Sequence, residues 1–161
     1  MRGVYTIPCT NVTLANQAVT LVFVNPGVDA TLEILRGWAS QAANATSAQQ
    51  RVQLNTQVTA FPTLTSLSPE PTALIDQAST IVGGTAGAAG TSGINASAEG
   101  AGAKTIQHPD AFNVLNGWLW VATPEEQYLM SASLASGFGL HFPAAPATLT
   151  SWNAGLVYAE K

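Results

Sequence analysis

Charge is what this sequence has least of. Only 9% of its 161 residues are charged, five Lys or Arg and nine Asp or Glu, where a soluble domain carries about 25%. Five cations and a formal net charge of -4 cannot neutralise a track of phosphates, so nucleic acid is not an expected partner. Cysteine is down to one, Cys9. No internal disulfide can form, and the thiol is expected to pack as a small hydrophobe. No stretch approaches the roughly 20 apolar residues of a membrane helix. The longest apolar run, 19–24, is strand-sized and contains Thr20, so no membrane partner is expected. A secretory leader is not expected either, because Thr6, Pro8, Thr10 and Asn11 interrupt the apolar stretch it would need.

Groups for chemistry are equally sparse. There are two histidines, His108 and His141, and neither has the close Cys/His partner that a structural zinc site needs. There is no Gly-x-Ser-x-Gly elbow, and the glycines of 83–102 are not followed by Gly-Lys-Ser/Thr. Glu125 and Glu126 are adjacent, so on an extended chain they point to opposite faces. The expectation is a non-enzyme with no cofactor and no metal, its histidines in loops or at strand edges. The Asn-x-Ser/Thr triplets at Asn11, Asn44 and Asn95 read as chance in a chain rich in Ser, Thr and Asn.

What is present is a hydrophobic content of 47%, enough for the core of one domain, arranged mainly in alternation. Over 49–60, Val52, Leu54, Thr56, Val58 and Ala60 share one face, and Arg51, Gln53, Asn55, Gln57 and Thr59 the other. That is a half-buried antiparallel strand. Residues 18–24 are apolar on both faces and read as a central strand, stopped by Asn25-Pro26-Gly27. Residues 30–41 read as a strand with Leu32, Ile34, Arg36 and Trp38 on one side; Gly37 argues against the helical alternative. Further strands are expected at 73–77, 104–107, 111–121, 138–142 and 148–159, with Asn116-Gly117 a turn or bulge and Thr123 to Glu126 one helical turn. In the 111–121 strand, Phe112, Val114, Trp118 and Trp120 take one face, and Leu115, Leu119 and Val121 the other. Residues 79–103 read by composition as a long Gly/Ala/Ser/Thr-rich loop or arm within a single domain spanning 1–161. The fold class that follows is all-β, an antiparallel β-sandwich of about eight strands.

The four tryptophans, Trp38, Trp118, Trp120 and Trp152, suit a sandwich core or a subunit interface better than a sugar-stacking platform. Glu33, Arg36 and Arg51 fall on strands expected to be neighbours, which suggests a cross-strand ion pair. A surface of Ala, Thr, Ser, Asn and Gln can pack against copies of itself with little charge desolvation.

Several segments resemble one family. They are residues 32–41 (LEILRGWASQ), 46–54 (TSAQQRVQL), 94–100 (INASAEG), 111–118 (AFNVLNGW), 123–126 (TPEE), 143–146 (PAAP) and the ending at 157–160 (VYAE). In order along the chain they are similar to small structural proteins encoded among the head genes of tailed bacteriophages and prophages. The resemblance implies a non-enzymatic virion component, a cement or decoration protein on the outside of the head. It implies a β-sandwich or jelly roll, a homotrimer, and the major capsid protein as partner. The chain would be made in the host cytoplasm and reside on the capsid surface. Phe112, Trp118, Trp120, Ile94, Arg36 and Arg51 are the expected subunit or capsid contacts, with 1–10 or 83–102 ordering on a neighbour. The alternative is a carbohydrate-binding β-sandwich module or a host-adhesion fibre head domain.

Overall fold

A computed structural model describes residues 3–16, 19–28, 30–43, 46–66, 72–73, 82–83 and 91–161. Among the described residues there is no helix, and thirteen strands form two sheets. The strands are β1 (Gly3–Val12), β2 (Thr20–Val24), β3 (Leu32–Gln41), β4 (Gln49–Val58), β5 (Thr63–Ser66), β6 (Thr72–Ala73), β7 (Val82–Gly83), β8 (Thr91–Ala98), β9 (Ala103–Asn113), β10 (Trp118–Val121), β11 (Tyr128–Met130), β12 (Ser136–His141) and β13 (Trp152–Glu160). The six-stranded sheet runs β10-β3-β13-β1-β6, with β11 also on β3; the seven-stranded sheet runs β5-β8-β2-β12-β4-β9, with β7 beside β8. Every pairing is antiparallel except β7 with β8. The opening strands β1 to β4 alternate between the two sheets, and so do the closing strands β12 and β13.

Both sheets contribute to one apolar core. Tyr5, Ile7, Cys9, Leu32, Ile34 and Tyr158 come from the first, and Val22, Val24, Val52, Leu54, Phe138 and Leu140 from the second. Each such side chain contributes about 1.5–3 kcal/mol on burial. Phe112, Phe142 and Trp152 close one end with edge-on and tilted ring contacts at 4.8–6.3 Å. Cys9 is fully buried, and burial pushes its thiol up to about 12, so it behaves as the expected small hydrophobe.

The antiparallel, all-β expectation holds, and β2 is central and buried along its whole length. Several finer expectations do not. The stretch expected as a loop over 79–103 contains β7, β8 and the first residue of β9, and β8 sits between β5 and β2. Residues 79–81 and 84–90 lie outside the described residues, as do 74–77. Composition misled there, because the side chains of β8 are small but its backbone hydrogen bonds are those of an inner strand. The N-terminal segment is not free to act as an arm either: β1 lies between β13 and β6. Residues 103–113 form one strand, and Asn116-Gly117 turns the chain across to the other sheet, with Gly117 at φ 71°. Residues 123–126 make a single hydrogen-bonded turn, Glu126 N–H to Thr123 C=O at 3.0 Å, and no helix.

Face assignments shift where the register shifts. Between β13 and β3, Val157 faces Arg36 but Tyr158 faces Ile34, leaving Leu35 as an extra residue. Leu32 and Ile34 point into the core before it, and Gly37 and Ala39 after it. Trp38 therefore leaves the face it was expected to share with Leu32 and Ile34. It lies over Gly155 on the outer side, with the Arg36 guanidinium 5.6 Å from its ring centre. Arg36 and Arg51 are on different sheets, so the expected cross-strand pair with Glu33 does not form; Glu33 bonds Lys161 at 2.8 Å.

The outer face of the seven-stranded sheet is also covered. Phe23, Phe61, Leu64 and Ala96 form a second cluster there. This cover buries Asn55 and Gln57, which the alternation of β4 had assigned to solvent, while Val58 at the strand end is 47% exposed. Room for Phe23 comes from glycine: a Cβ on Gly137 would lie 2.1 Å from its ring. Gly137→Ala is expected to cost about 1–3 kcal/mol by overpacking, read as a lower melting temperature. Combined with Phe23→Leu, which makes space, it should cost less than the sum of the two single changes. Additive losses would refute this contact as the cause.

Candidate functional site

The β10–β11 edge of the six-stranded sheet carries the most distinctive surface. Both strands pair with successive parts of β3 and have no strand on their other side among the described residues. Strand alternation splits their side chains between two faces. Outward go Leu119, Val121 and Leu129, which are 65%, 59% and 64% exposed. They stand opposite Trp38, Arg36 and Glu33 of β3. Inward go Trp118, buried, and Trp120 and Tyr128, half-buried.

The inward side faces β9, the edge strand of the other sheet. Register between β4 and β9 shifts here: Leu54 faces His108 and Asn55 faces Ile106, so Gln107 is one residue too many. Before the bulge Lys104 and Ile106 lie on the outer side with Gln57 and Asn55; after it His108, Asp110 and Phe112 share the core side with Leu54, Val52 and Gln50. Pro109 follows, tolerable because an edge strand has a side with no ladder partner. The bulge thus aims His108 at the aromatic rings.

Those rings form a chain. Trp120 stacks on Tyr128 at 5.5 Å and 20°, Tyr128 tilts against Phe138 at 5.4 Å, and His108 lies 6.1 Å from Trp120 and 6.5 Å from Trp118. Polar bonds fix the arrangement. The Trp118 indole N–H donates to Asp110 Oδ2 at 2.9 Å, and the Tyr128 hydroxyl donates to the Gln107 carbonyl at 3.1 Å. The Trp118 bond, with the Ala111 N–H, holds the Asp110 carboxyl below its ordinary range. Burial, with the Glu126 charge, pushes the Tyr128 phenol up, so it stays a donor. Between the sheet edges an open cleft of about 420 Å³ remains, lined by Gln107, His108, Trp120, Glu126 and Tyr128.

The residues expected to make contacts scatter. Ile94, Phe112 and Trp118 are each 7% exposed and belong to the core. Trp120 lines the cleft, Arg36 caps Trp38, and Arg51 is exposed on β4. Trp152 is fully buried, so the four tryptophans form no single platform. Sequence reading had set Leu119 and Val121 on a face of their own without giving it a role. It missed Tyr128, Gln107 and Leu129, which one strand alternation and one bulge bring to the edge.

A second polar cluster lies on the covered face. Glu99 accepts hydrogen bonds from the Val19 and Thr20 backbone N–H groups, both at 2.8 Å, from the Thr20 hydroxyl at 2.8 Å, and from Lys104. Its carboxylate can only accept, so the Thr20 hydroxyl proton points to Glu99. The 3.1 Å contact of Thr20 with His141 Nδ1 then requires that nitrogen to carry the ring proton. His141 is on inner strand β12 and 9% exposed, not at an edge as expected. Comparison with protein-family models, curated proteins and solved structures gives no match, so function has to be argued from this geometry.

The Glu99 cluster predicts acid sensitivity. Burial pushes His141 down to about 4, against the attraction of Glu99. Burial of Glu99 opposes its charge, but its bond to Lys104 and its other donors hold the carboxyl below the ordinary range. Both folded-state values are depressed, so the unfolded chain takes up protons first. Stability is then full above about pH 6.5, the free histidine value, and falls as pH drops towards 4. Urea midpoints at stepped pH should show the decline, with a shallower slope in His141→Gln. An unchanged slope in that variant would remove His141 as a cause.

Proposed function

We propose that this chain is a non-enzymatic virion structural protein, a cement or decoration subunit on the outside of a tailed-phage head. The observation that carries the proposal is the β10–β11 edge. It presents Leu119, Val121 and Leu129 to solvent on a strand edge that no strand among the described residues pairs. An unpaired edge with apolar side chains is a template for association unless something covers it. The occupant we assign is a second copy of this chain, closing a homotrimer. Val28, Val58 and Leu134 are also exposed, and Gly27 bridges Ser133 while Val58 faces Ser136. This second apolar group gives the trimer a surface for the major capsid protein.

The strand order supports the same reading. With β5 to β8 taken as an insertion, the four strands β1, β13, β3 and β10–β11 face the four strands β2, β12, β4 and β9. We read this as jelly-roll order, with the chain crossing between sheets at successive strands. A jelly roll hosts many functions, so the edge chemistry, not the topology, has to carry the assignment. Many weak equivalent contacts on a lattice sum through multivalency.

The test is light scattering after size exclusion, with and without emptied heads of a phage that encodes the chain. A trimer that co-elutes with heads is expected. Leu119→Ser with Leu129→Ser should yield a monomer whose unfolding free energy changes by no more than about 0.5 kcal/mol per exposed site. A native chain that stays monomeric and ignores heads would overturn the proposal.

A further inference from the structure

The cleft on the inner side of the edge is not used by the proposed assembly, which engages the outward side chains. Its lining is specific. Trp120 and Tyr128 supply aromatic surface, Glu126 a carboxylate, His108 an imidazole and Gln107 an amide. Among the described residues no Lys or Arg lines it, so an anionic ligand would meet the Glu126 charge there without a permanent cation to offset it. Its volume of about 420 Å³ falls within the range of small-molecule sites, roughly 300–1,000 Å³, and far exceeds a single ammonium group. The aromatic walls are set before any ligand arrives. Trp120 is stacked on Tyr128, and Tyr128 is tied to the bulge carbonyl of Gln107. A ligand would therefore not have to order them.

We propose that this cleft binds a neutral carbohydrate. The apolar C–H face of a sugar ring packs against Trp120, with the edge of the Tyr128 ring beside it, and its hydroxyls donate to the Glu126 carboxylate and exchange hydrogen bonds with His108. Glu126 already accepts from the Thr123 hydroxyl at 3.2 Å through one oxygen, Oε2, which orients the carboxylate and leaves Oε1 for a hydroxyl. Asp110, 3.9 Å from His108 Nε2, keeps a negative charge beside the imidazole. The site stands independently of the virion proposal, since it uses the inward residues and needs no second copy.

The experiment titrates the full chain with maltotriose, cellotriose, lactose and chitotriose, with arginine amide as a cationic control. The readouts are tryptophan fluorescence and the indole N–H resonances. At least one sugar should shift the Trp120 resonance saturably, with a Kd between about 10 μM and a few mM. Trp120→Ala should abolish the response. Glu126→Gln, on an exposed turn, should weaken it about tenfold, as expected for a lost hydrogen bond to a charged group, with the melting temperature unchanged. Trp120→Leu serves where the alanine variant melts early, and must also lose binding. Silence with all four sugars at about 10 mM, above the millimolar range of weak sites, would overturn the proposal. So would a response to arginine amide alone, or sugar binding that survives the loss of Trp120.

Discussion

At Leu35 in β3 and at Gln107 in β9 the chain carries one residue more than the strand it pairs with. A strand's side chains alternate with period two, so one extra residue exchanges the faces of everything beyond it. In β3 the exchange puts Gly37 and Ala39 in the core and releases Trp38 and Arg36 to the outside. In β9 it lets Lys104 reach outward to Glu99 while His108 and Phe112 turn inward. Without the second bulge Lys104 and His108 would share a face. Either the Glu99 clamp or the aromatic cleft would then be lost. The two surfaces that matter most here depend on these two residues.

The sheets are treated differently on their outer faces. The seven-stranded sheet is roofed by Phe61, Leu64 and Ala96 around Phe23, and by the turn that carries Glu99. Burying a carboxylate is costly unless its lone pairs are used. Glu99 uses them on two backbone N–H groups, one hydroxyl and one ammonium. The first two of those donors open β2, whose start would otherwise be left with unsatisfied N–H groups under the roof. The six-stranded sheet has a different arrangement: Trp38 lies flat on Gly155, and the apolar row of β10 and β11 stands beside it in solvent. On that outer face Val157 and Ala159 of β13 are buried, so it is the β10–β11 end of the sheet, and not the whole face, that can offer a contact.

Much of this was legible from pattern alone. The run at 20–24, apolar on both faces, marked an inner strand, and Asn25-Pro26-Gly27 marked its end; there the Asn25 side chain accepts from the Gly27 N–H at 2.8 Å. The alternation of Val52 and Leu54 was read correctly as core-facing. Bulges were not legible, because nothing in Leu35 or Gln107 themselves announces an unpaired residue; the partner strand defines it. β8 was hidden by its small side chains. The burial of Asn55 and Gln57 was hidden because alternation reports one sheet's own two faces and not what a later segment lays over them. The site followed the same rule. Trp120 was singled out for its size, but its partners Tyr128 and Gln107 come from segments whose proximity only the two-sheet arrangement creates.

The scarcity of charge then takes on a structural meaning. Lys104 is committed to Glu99, Lys161 to Glu33, and Arg36 lies over Trp38. Three of the chain's five cations thus act inside the chain. The outward row of the edge is left uncharged at Leu119, Val121 and Leu129, and association there would draw on apolar burial at roughly 25 cal/mol per Å². Such contacts are short-ranged and indifferent to ionic screening. They give little steering over distance but hold equally well in dilute or salty surroundings. That property would suit the virion subunit proposed above. The same β10 and β11 strands present Trp120 and Tyr128 on the opposite face, where the bond from Tyr128 to Gln107 ties the edge to the other sheet. One pair of strands thus carries both surfaces on which the two proposals rest, the apolar row on its outer side and the cleft wall on its inner side.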